Sequence, residues 1–277
     1  MLVPFRDLLA ETDRSAVGAF TCYDLEVAAA ALGAAADRGR GVILLLGNAS
    51  FVAPDGELLL AALLAAADAS GARACVQLDH CGDLGVIEAA LRQGAGAVMA
   101  DGSSLPYAEN VAFVRRAAEL AAATGAGVEC ELGGIAGDED VAEAVAAGAL
   151  TEPAQAADFL ASSGAHCLAV SIGNVHGDYR EPPSLDWLRL GAIRARVAHP
   201  LSLHGASGLP EPMLRRAIGA GIAKVNVNTE LRRAYLDATA DRLGEARAKA
   251  NVAALHVAQT AAVRRVVSDK LAVLAGD

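Results

Sequence analysis

The sequence lacks any apolar run long and uninterrupted enough to cross a membrane, because charges or glycines interrupt its alanine-rich stretches. We also expect no signal peptide, since an acidic segment beginning at Asp7 follows the first six residues directly. A basic excess is missing too: the net charge is −10 and the pI is near 5.1, which argues against a broad nucleic-acid surface. We therefore expect a cytoplasmic protein that binds neither membranes nor nucleic acids.

Paired cysteine motifs are also missing. None of the five cysteines forms a CxxC pair, and Cys75, Cys130 and Cys167 fall inside apolar, strand-like runs. A free thiol in such a run behaves as a small apolar residue. The pattern indicates reduced core cysteines, as is usual in a cytosolic protein.

Short apolar runs alternate with helical segments along the 277 residues. The length suits one large α/β domain, although two small domains would also fit. The hydrophobic content of 54% is rich in Ala, Val and Leu, which suits helices packed on buried parallel strands. The predicted strands are Val17–Thr21, Val42–Leu46, Ala74–Leu78, Ala97–Ala100, Val128–Leu132, Cys167–Ser171, Leu201–His204 and Lys224–Val227.

The segments between these runs have helical periodicity, and several end on glycine, as helix caps require. Eight such alternations predict a (β/α)8 TIM barrel, formed by residues 1–277 as one domain. An open doubly wound sheet is the main alternative, but no GxGxxG motif follows the first strand. Residues 230–277 read as C-terminal helices, which either pack on the barrel or form an oligomer contact. The predicted barrel helices are Leu25–Ala36, Gly56–Ala67, Leu84–Gln93, Tyr107–Thr124, Ala154–Ser163, Ser184–Val197 and Pro210–Ala220.

Three histidines lie at or just beyond the C-terminal ends of predicted strands. They are His80, which comes after Asp79, and His176 and His204. Because the carboxyl ends of parallel barrel strands converge on one face, we expect these side chains to share a metal. Three nitrogen ligands with an open position are typical of catalytic rather than structural zinc. The remaining histidines lie elsewhere: His166 and His199 before strands, at the opposite face, and His256 in the terminal helix.

Acidic residues surround the predicted metal. Glu129 and Glu131 share one face of the fifth strand, while Cys130 points the other way. Two carboxylates inside a barrel need a cation or hydrogen-bond donors, although a buried, hydrogen-bonded acid is the simpler alternative. Asp101 ends the fourth strand and could join them.

Small residues dominate the loops that follow the later strands. The glycine-rich, acidic stretch 133–140 could carry Glu139 into the site as a base, or it could be a solvated charge cluster. Turns after the seventh and eighth strands commonly bind phosphate through backbone N–H groups, and Ser207 and Thr229 could add hydroxyl donors. Small-residue turns occur at the ends of the last three predicted strands, at 176–177, 204–208 and 226–229.

Taken together, these motifs resemble those of class II, zinc-dependent ketose-bisphosphate aldolases, which include the fructose- and tagatose-bisphosphate enzymes. The match runs in order from about residue 17 to residue 232. The motifs that carry it are Leu78-Asp79-His80, Asp101-Gly102-Ser103, Glu129-Cys130-Glu131-Leu132-Gly133, Gly137-Asp138-Glu139-Asp140, Ile172-Gly173-Asn174-Val175-His176-Gly177, Leu203-His204-Gly205-Ala206-Ser207-Gly208 and Lys224-Val225-Asn226-Val227-Asn228-Thr229.

The resemblance implies an aldehyde-lyase whose substrate is a sugar phosphate. It implies that His80, His176 and His204 bind catalytic Zn²⁺, that Asp79 protonates the aldehyde carbonyl during condensation, and that Glu139 removes the C3 proton of dihydroxyacetone phosphate. Asp101 and Glu131 match positions that hold a second metal or a monovalent cation in some members. Family members are typically homodimers or larger homo-oligomers. The residues implied around dihydroxyacetone phosphate are Gly177, Gly205, Ala206, Ser207, Asn226, Val227, Asn228 and Thr229.

The chain departs from the family pattern on the aldehyde side. Residues 21–24 replace an Asn-rich stretch, and Leu45 and Gly47 stand where Gln and a hydroxyl residue are usual, so a second phosphate is in doubt. Enzymes acting on another ketose 1-phosphate or a modified sugar phosphate are the nearest alternative. A non-catalytic sugar-phosphate-binding paralogue is less favoured because Asp79 and the histidines are present. A metal-dependent hydrolase would tend to have an HxH pair on the first strand, which Phe20-Thr21-Cys22 lacks. A Schiff-base aldolase would need a suitably placed lysine, but Lys224 lies at the wrong end of the eighth strand, and Lys249 and Lys270 lie in the C-terminal tail.

Overall fold

A closed barrel of eight parallel strands forms the centre of the molecule in the computed structural model, which describes residues 1–137, 140, 144–145 and 148–276. Its strands are β1 (Val17–Thr21), β2 (Gly41–Gly47), β3 (Arg73–Cys81), β4 (Ala97–Ala100), β5 (Gly127–Leu132), β7 (Cys167–Val170), β9 (Leu201–Leu203) and β10 (Ile222–Val227). In spatial order the barrel runs β1-β10-β9-β7-β5-β4-β3-β2. A separate two-stranded sheet pairs β6 (Ala144–Val145) with β8 (Asp178–Tyr179).

Helices follow the barrel strands and surround the barrel, which confirms the predicted (β/α)8 architecture. Asp24, Asp83 and Asp186 cap three of them through side-chain bonds to backbone N–H groups. The helices are α1 (Phe5–Ala10), α2 (Leu25–Arg38), α3 (Asn48–Phe51), α4 (Gly56–Ala69), α5 (Leu84–Arg92), α6 (Tyr107–Ala122), α7 (Pro153–Ser163), α8 (Trp187–Arg194), α9 (Glu211–Gly219), α10 (Thr229–Lys249) and α11 (Val252–Leu274).

Most predicted elements agree with the observed ones to within three residues, and the differences have physical causes. The helix predicted from Ser184 begins only at Trp187, because Asp186 caps it by accepting from the backbone N–H of Arg189. The predicted strand Ala74–Leu78 continues to Cys81, so the strand itself includes Asp79 and His80. The short α1 and α3 have too few turns to show a helical period, and the sequence did not predict them.

The barrel interior is divided into an apolar and a polar part. Helix α1 closes the amino-terminal end with Phe5, Leu8 and Leu9, which pack in one cluster with inward-facing strand residues. Those strand residues form an apolar plug: Val17, Ala19, Ile43, Leu45, Cys75, Ala97 and Cys167. Above the plug, towards the carboxyl ends of the strands, buried polar and charged side chains replace the apolar ones.

The C-terminal helices α10 and α11 pack against each other, and α11 also packs along α2. Buried residues of α11, including Val263, Val267 and Leu271, belong to the main core between the barrel and its helices. This position agrees with the predicted C-terminal helices at 230–277. All five cysteines are buried and free. Among the described residues, no helix combines the length and hydropathy that a membrane crossing requires.

Candidate active site

His80 lies on β3 in an unusual backbone conformation. Its φ is +47°, in the left-handed region that L-residues rarely adopt, and the pairing of β3 with β4 shifts register between Leu78 and Cys81. A shift of this kind changes the direction of the side chains next to it. The irregularity turns His80 towards the carboxyl end of the barrel, where it meets the other two predicted ligands.

The structure brings His80, His176 and His204 together. One ring nitrogen from each lies within 4.8 Å of the others. His80 Nε2 is 2.9 Å from His204 Nδ1, and the His176 ring stands edge-on to His80 with centroids 4.9 Å apart. His176 and His204 are buried and His80 is partly so. Three convergent imidazoles of low exposure match the ligand set of a zinc ion with an open position.

In His80 and His204, the second ring nitrogen hydrogen-bonds to a carboxylate. Asp101 Oδ2 lies 2.8 Å from His80 Nδ1, and Glu129 Oε1 lies 2.9 Å from His204 Nε2. A proton on each carboxylate-facing nitrogen leaves His80 Nε2 and His204 Nδ1 as lone-pair donors directed at the shared centre. The carboxylates therefore select the tautomers that a metal site requires.

Glu129 also joins a fully buried charge network. Its Oε2 lies 2.8 Å from Lys224 Nζ and accepts a 2.7 Å hydrogen bond from Gln77 Nε2. Lys224 Nζ in turn donates to Asn226 Oδ1 at 2.6 Å. Neither Glu129 nor Lys224 has any exposed surface, so each charge depends on the other for compensation.

Local charges decide which of these groups are ionised. Burial opposes ionisation of Glu129, but the Lys224 charge and the His204 hydrogen bond outweigh it and lower the pKa of Glu129. Burial likewise disfavours charge on Lys224, yet Glu129 and Asp79 raise the pKa of Lys224. Burial lowers the pKa of His204, and Glu129 only partly opposes this. The network is therefore a Glu⁻–Lys⁺ pair beside a neutral imidazole, the form that binds metals.

Asp101 and Glu131 lie beside His80 and form a second group of potential ligands with it. Asp101 Oδ1 accepts hydrogen bonds from the Ser103 backbone N–H and hydroxyl, so both Asp101 oxygens have partners. Glu131 Oε1 accepts from the Ile135 backbone N–H, while Oε2 is buried without a hydrogen-bond partner among the described residues.

Glu131 and Asp101 differ in their tendency to ionise. Burial and the nearby Asp101 charge raise the pKa of Glu131 to about 8. Burial opposes ionisation of Asp101 too, but hydrogen bonds from His80 and Ser103 outweigh it and lower the pKa of Asp101. Glu131 is thus a buried acid that gives up its proton readily only when a cation is near.

Asp79 lies next to the three histidines. It is 2% exposed, and Asn226 Nδ2 lies 3.4 Å from both Asp79 Oδ2 and His204 Nδ1. Asp79 Oδ1 is buried and has no hydrogen-bond partner among the described residues. A buried carboxylate oxygen without a partner is costly in a folded protein and is typical of a group that meets its partner in a substrate.

The loops after β7 and β9 pack tightly on each other. Asn174 Nδ2 donates to the His204 carbonyl at 3.1 Å, and Tyr179 donates to the Gly205 carbonyl at 3.0 Å. Gly205 has φ +61°, and a Cβ there would lie 1.9 Å from the Val175 carbonyl oxygen, so only glycine fits. Gly177 is also left-handed, at φ +82°. The predicted substrate residues Gly177, Gly205, Ala206 and Ser207 therefore belong to one compact rim beside the histidines.

The rim continues into the turn from β10 to α10. Ser207 Oγ lies 3.3 Å from the Asn228 backbone nitrogen and accepts its hydrogen bond, and it accepts a second one at 3.4 Å from Glu230. Asn226 and Val227 end β10, and Thr229 is the first residue of α10. The helix N-terminus provides a local positive potential that favours an anion. The predicted base Glu139 lies outside the described residues, although Gly137 packs against the His176 carbonyl.

Three supporting residues were not predicted from the sequence. Gln77 and Lys224 form the layer beneath Asp79 and Asn226, and Asn174 joins the two rim loops. The Lys224 backbone lies towards the start of its strand, but its side chain extends inside the barrel to Glu129 and Asn226. A period-two signal was present: Gln77/Asp79, Glu129/Glu131 and Lys224/Asn226 each place polar residues two positions apart in apolar strands.

The profile of the class II fructose-bisphosphate aldolase family matches residues 7–276. The match spans nearly the whole chain, and the barrel with its histidine cluster agrees with it. The chain therefore belongs to the class II fructose-bisphosphate aldolase family.

Solved structures of aldolases share the fold over nearly their whole length. The YdjI aldolase of Escherichia coli K12 is 26% identical with a TM-score of 0.86, covering 100% of this chain and 98% of that one. A Coccidioides immitis protein with the provisional assignment of fructose-1,6-bisphosphate aldolase is 29% identical with a TM-score of 0.90, at coverages of 98% and 95%. The Campylobacter jejuni fructose-bisphosphate aldolase, at 19% identity and a TM-score of 0.79 with coverages of 99% and 95%, shares the fold.

Proposed function

We propose that this protein is a zinc-dependent aldolase that reversibly cleaves a ketose phosphate into dihydroxyacetone phosphate and an aldehyde. The observation that carries the proposal is the convergence of three histidine nitrogens within 4.8 Å beside the buried Asp79. A non-catalytic sugar-phosphate-binding protein would have no need of a buried, unpartnered carboxylate oxygen at that point. Family membership supports the same reaction class.

The donor set fits zinc. His80, His176 and His204 would hold the ion, and Asp101 and Glu129 fix two of the rings from behind. A bound Zn²⁺ supplies a Lewis acid that polarises the ketone carbonyl of the substrate. Asp101 and Glu131, which lie beside His80, would hold a second metal or a monovalent cation, since the raised pKa of Glu131 marks a carboxyl that lacks compensating charge.

Asp79 would move the proton on the aldehyde side. During cleavage the bond between C3 and C4 breaks and its electron pair stays with the C3 fragment. The C4 hydroxyl proton passes to Asp79 while the C4 oxygen becomes the aldehyde carbonyl, and C3 then takes up a proton to give dihydroxyacetone phosphate. Condensation returns that proton to the oxygen. Oδ1 suits this role because it is buried and has no partner among the described residues, whereas Oδ2 lies near the Asn226 amide.

The remaining roles follow the family resemblance. The rim of Gly177, Gly205, Ala206 and Ser207 and the turn through Thr229 would bind the phosphate of dihydroxyacetone phosphate with backbone N–H groups and hydroxyls. The other residues predicted to surround dihydroxyacetone phosphate are Asn226, Val227 and Asn228. Glu139 would exchange the C3 proton. Lys224 cannot form a Schiff base in its ion-paired, charged state, because a nucleophilic amine must first lose its proton.

Removal of the metal tests this proposal. Chelation and dialysis should abolish retro-aldol cleavage of ketose phosphates, and Zn²⁺ or Co²⁺ should restore it, since three neutral imidazoles and one open position suit both ions. Circular dichroism should show a folded barrel throughout, because the apolar core does not depend on the ion. Full cleavage activity in protein that metal analysis shows to be free of zinc would refute the proposed chemistry.

The part of the site that would bind the aldehyde has unfilled space at Gly47. Gly47 pairs with Asp79 across β2 and β3, and an added Cβ at Gly47 would meet nothing within 4 Å. Leu45, two residues earlier, is buried in the apolar plug and offers no polar group. On the neighbouring loop, the Tyr23 hydroxyl donates to Asp140 Oδ1 at 2.8 Å and also contacts the side-chain amide of Asn228. We infer that this half holds the second phosphate of a bisphosphate less well than a serine-containing site would.

A substitution at Gly47 tests this specificity. In the wild-type protein, the ratio of kcat/KM for fructose 1-phosphate, or a related ketose 1-phosphate, to kcat/KM for fructose 1,6-bisphosphate should be higher than in typical members of the family. Gly47→Ser should raise kcat/KM for the bisphosphate by roughly 10-fold or more relative to the monophosphate, because a donor to a charged partner contributes about 1.5–3 kcal/mol. Gly47→Ala, which adds the carbon without the hydroxyl, is the matched control. A strong wild-type preference for the bisphosphate would show that other groups bind that phosphate, and would leave the aldolase assignment intact.

We also propose that the protein is a homodimer or a larger homo-oligomer. Apolar side chains are exposed on the outer surfaces of α10 and α11: Leu236, Leu243, Val252 and Val257, with exposures of 43–70%. Such residues on a helical hairpin favour association with a second copy. Light scattering of the purified protein gives its mass directly, and a monomer at micromolar concentration would contradict the proposal.

A further inference from the structure

A cavity of about 910 Å³ opens at the amino-terminal end of the barrel, at the far end from the histidine cluster. It lies where the connection from α1 to β1 meets the segments that lead into β7, β9 and β10. His166 and His199, which the sequence placed at this face, both line it. The apolar plug lies between this cavity and the charged layer of the candidate active site.

The cavity concentrates positive charge. Arg6, Arg14 and Arg194 line it, and of the described residues that line it only Asp13 carries a carboxylate. With both histidines neutral, three guanidiniums and one carboxylate give a local charge of +2, whereas the whole chain has a net charge of −10. A concave site with charge opposite to that of the protein attracts and retains anions.

No carboxylate of the described residues compensates the charge of the three arginines. In the described part of the chain, none of the three forms an ion pair with a carboxylate. Arg194 donates to the backbone carbonyls of Val197 and His199, which carry no charge. His166 Nδ1 accepts from the Val128 backbone N–H at 3.0 Å, so a neutral ring carries its proton on Nε2 and can donate there.

The titration of His166 agrees with this uncompensated charge. Burial lowers the pKa of His166, and the charges of Arg6 and His199 lower it further. A nearby carboxylate with a stronger effect would have raised the pKa instead. Asp13 therefore does not dominate the potential at His166.

We propose that this cavity binds a small polyanion, a molecule with two or more phosphate or carboxylate groups. Its volume falls in the range of pockets for small metabolites. Arginine suits such a ligand because its planar fork of donors pairs with carboxylate and phosphate oxygens. The site is separate from the proposed catalytic centre, and its existence does not depend on the aldolase assignment.

Calorimetric titration of the zinc-loaded protein tests the site with two probes. Benzene-1,3,5-tricarboxylate carries three carboxylates too far apart to chelate one metal ion, and 2,3-bisphosphoglycerate carries phosphates. The test variant Arg6→Gln/Arg14→Asn removes two cavity charges, and asparagine tolerates the left-handed backbone of Arg14, whose φ is +54°. The matched control Arg92→Gln/Arg116→Gln removes two exposed charges from α5 and α6. Arg6→Lys keeps the charge at the cavity.

The cavity variant should bind at least one probe about tenfold or more weakly than the wild type, while the control double variant stays within about twofold. Arg6→Lys should retain most of the affinity, and all variants should melt at similar temperatures because Arg6 and Arg14 are exposed. The probe that loses more affinity identifies the preferred anionic group. Undetectable binding of both probes to the wild type, or equal losses in the cavity and control variants, would overturn the proposal. So would binding that the cavity variant leaves unchanged, since this would place the probe elsewhere, including at the catalytic end.

Discussion

Asp79→Asn is expected to reduce kcat for carbon–carbon cleavage by roughly 10²–10⁴-fold, the usual contribution of a general acid–base group. Asparagine has nearly the same shape and can still accept from Asn226, so the surroundings of the site should persist. It cannot take up the C4 hydroxyl proton. Steady-state cleavage assays on the variant and the wild type measure the effect.

Two controls separate this role from a structural one. Zinc content by metal analysis should equal that of the wild type, because Asp79 belongs to neither group of potential metal ligands. Exchange of the C3 proton of dihydroxyacetone phosphate with solvent, followed by NMR, should also continue, since Glu139 is the residue proposed to perform it. If Asp79→Asn cleaved substrate within a few-fold of the wild-type rate, another residue would have to carry the proton.

Lys224→Met should be among the most damaging single substitutions in the chain. It leaves the Glu129 carboxylate without its cation at a point with no solvent exposure, and breaking a buried pair in this way costs about 3–5 kcal/mol of the free energy of unfolding. Glu129 would then tend to take up a proton and would hold His204 less firmly. The free energy of unfolding, measured with denaturant, should fall. The zinc affinity, measured by chelator competition, should fall as well.

The matched control is Lys249→Met, which breaks an exposed pair 3.0 Å from Glu245 and should cost about 1 kcal/mol or less. The double variant Lys224→Met/Glu129→Gln removes both buried charges and keeps an acceptor for His204. It should recover a substantial part of the lost stability. A Lys224→Met protein as stable as the wild type would show that the pair does not compensate the Glu129 charge.

Much of the site could be read from the sequence because its chemistry lies on strand ends. His80, His176 and His204 each follow an apolar run, and the barrel topology alone brings such positions together. Glu129 and Glu131 were expected on the same inward face, and both are buried there.

The partners of these residues could not be predicted in the same way. That Glu129 binds His204 and Lys224, whereas Glu131 faces His80 and Asp101, depends on strand stagger, which sequence spacing does not reveal. The left-handed backbone of His80 and the register shift beside it were equally invisible, because histidine gives no signal for that conformation. The contacts of Lys224 could not be predicted, since only its Cα position, and not the reach of its side chain, follows from the sequence.

The apolar plug has a thermodynamic consequence for the two ends of the barrel. Ile43, Leu45 and Cys75 separate the ionised layer around Glu129 from the arginine-lined cavity. Two substitutions that are in contact or share a polar network have coupled effects on the free energy of unfolding. The effects of substitutions more than about 7–10 Å apart with no shared partners usually add to within about 0.5 kcal/mol. Variants at Lys224 and at Arg14 share no partner among the described residues, so their stability changes should sum. The two ends of this barrel should therefore contribute to the free energy of unfolding independently of each other.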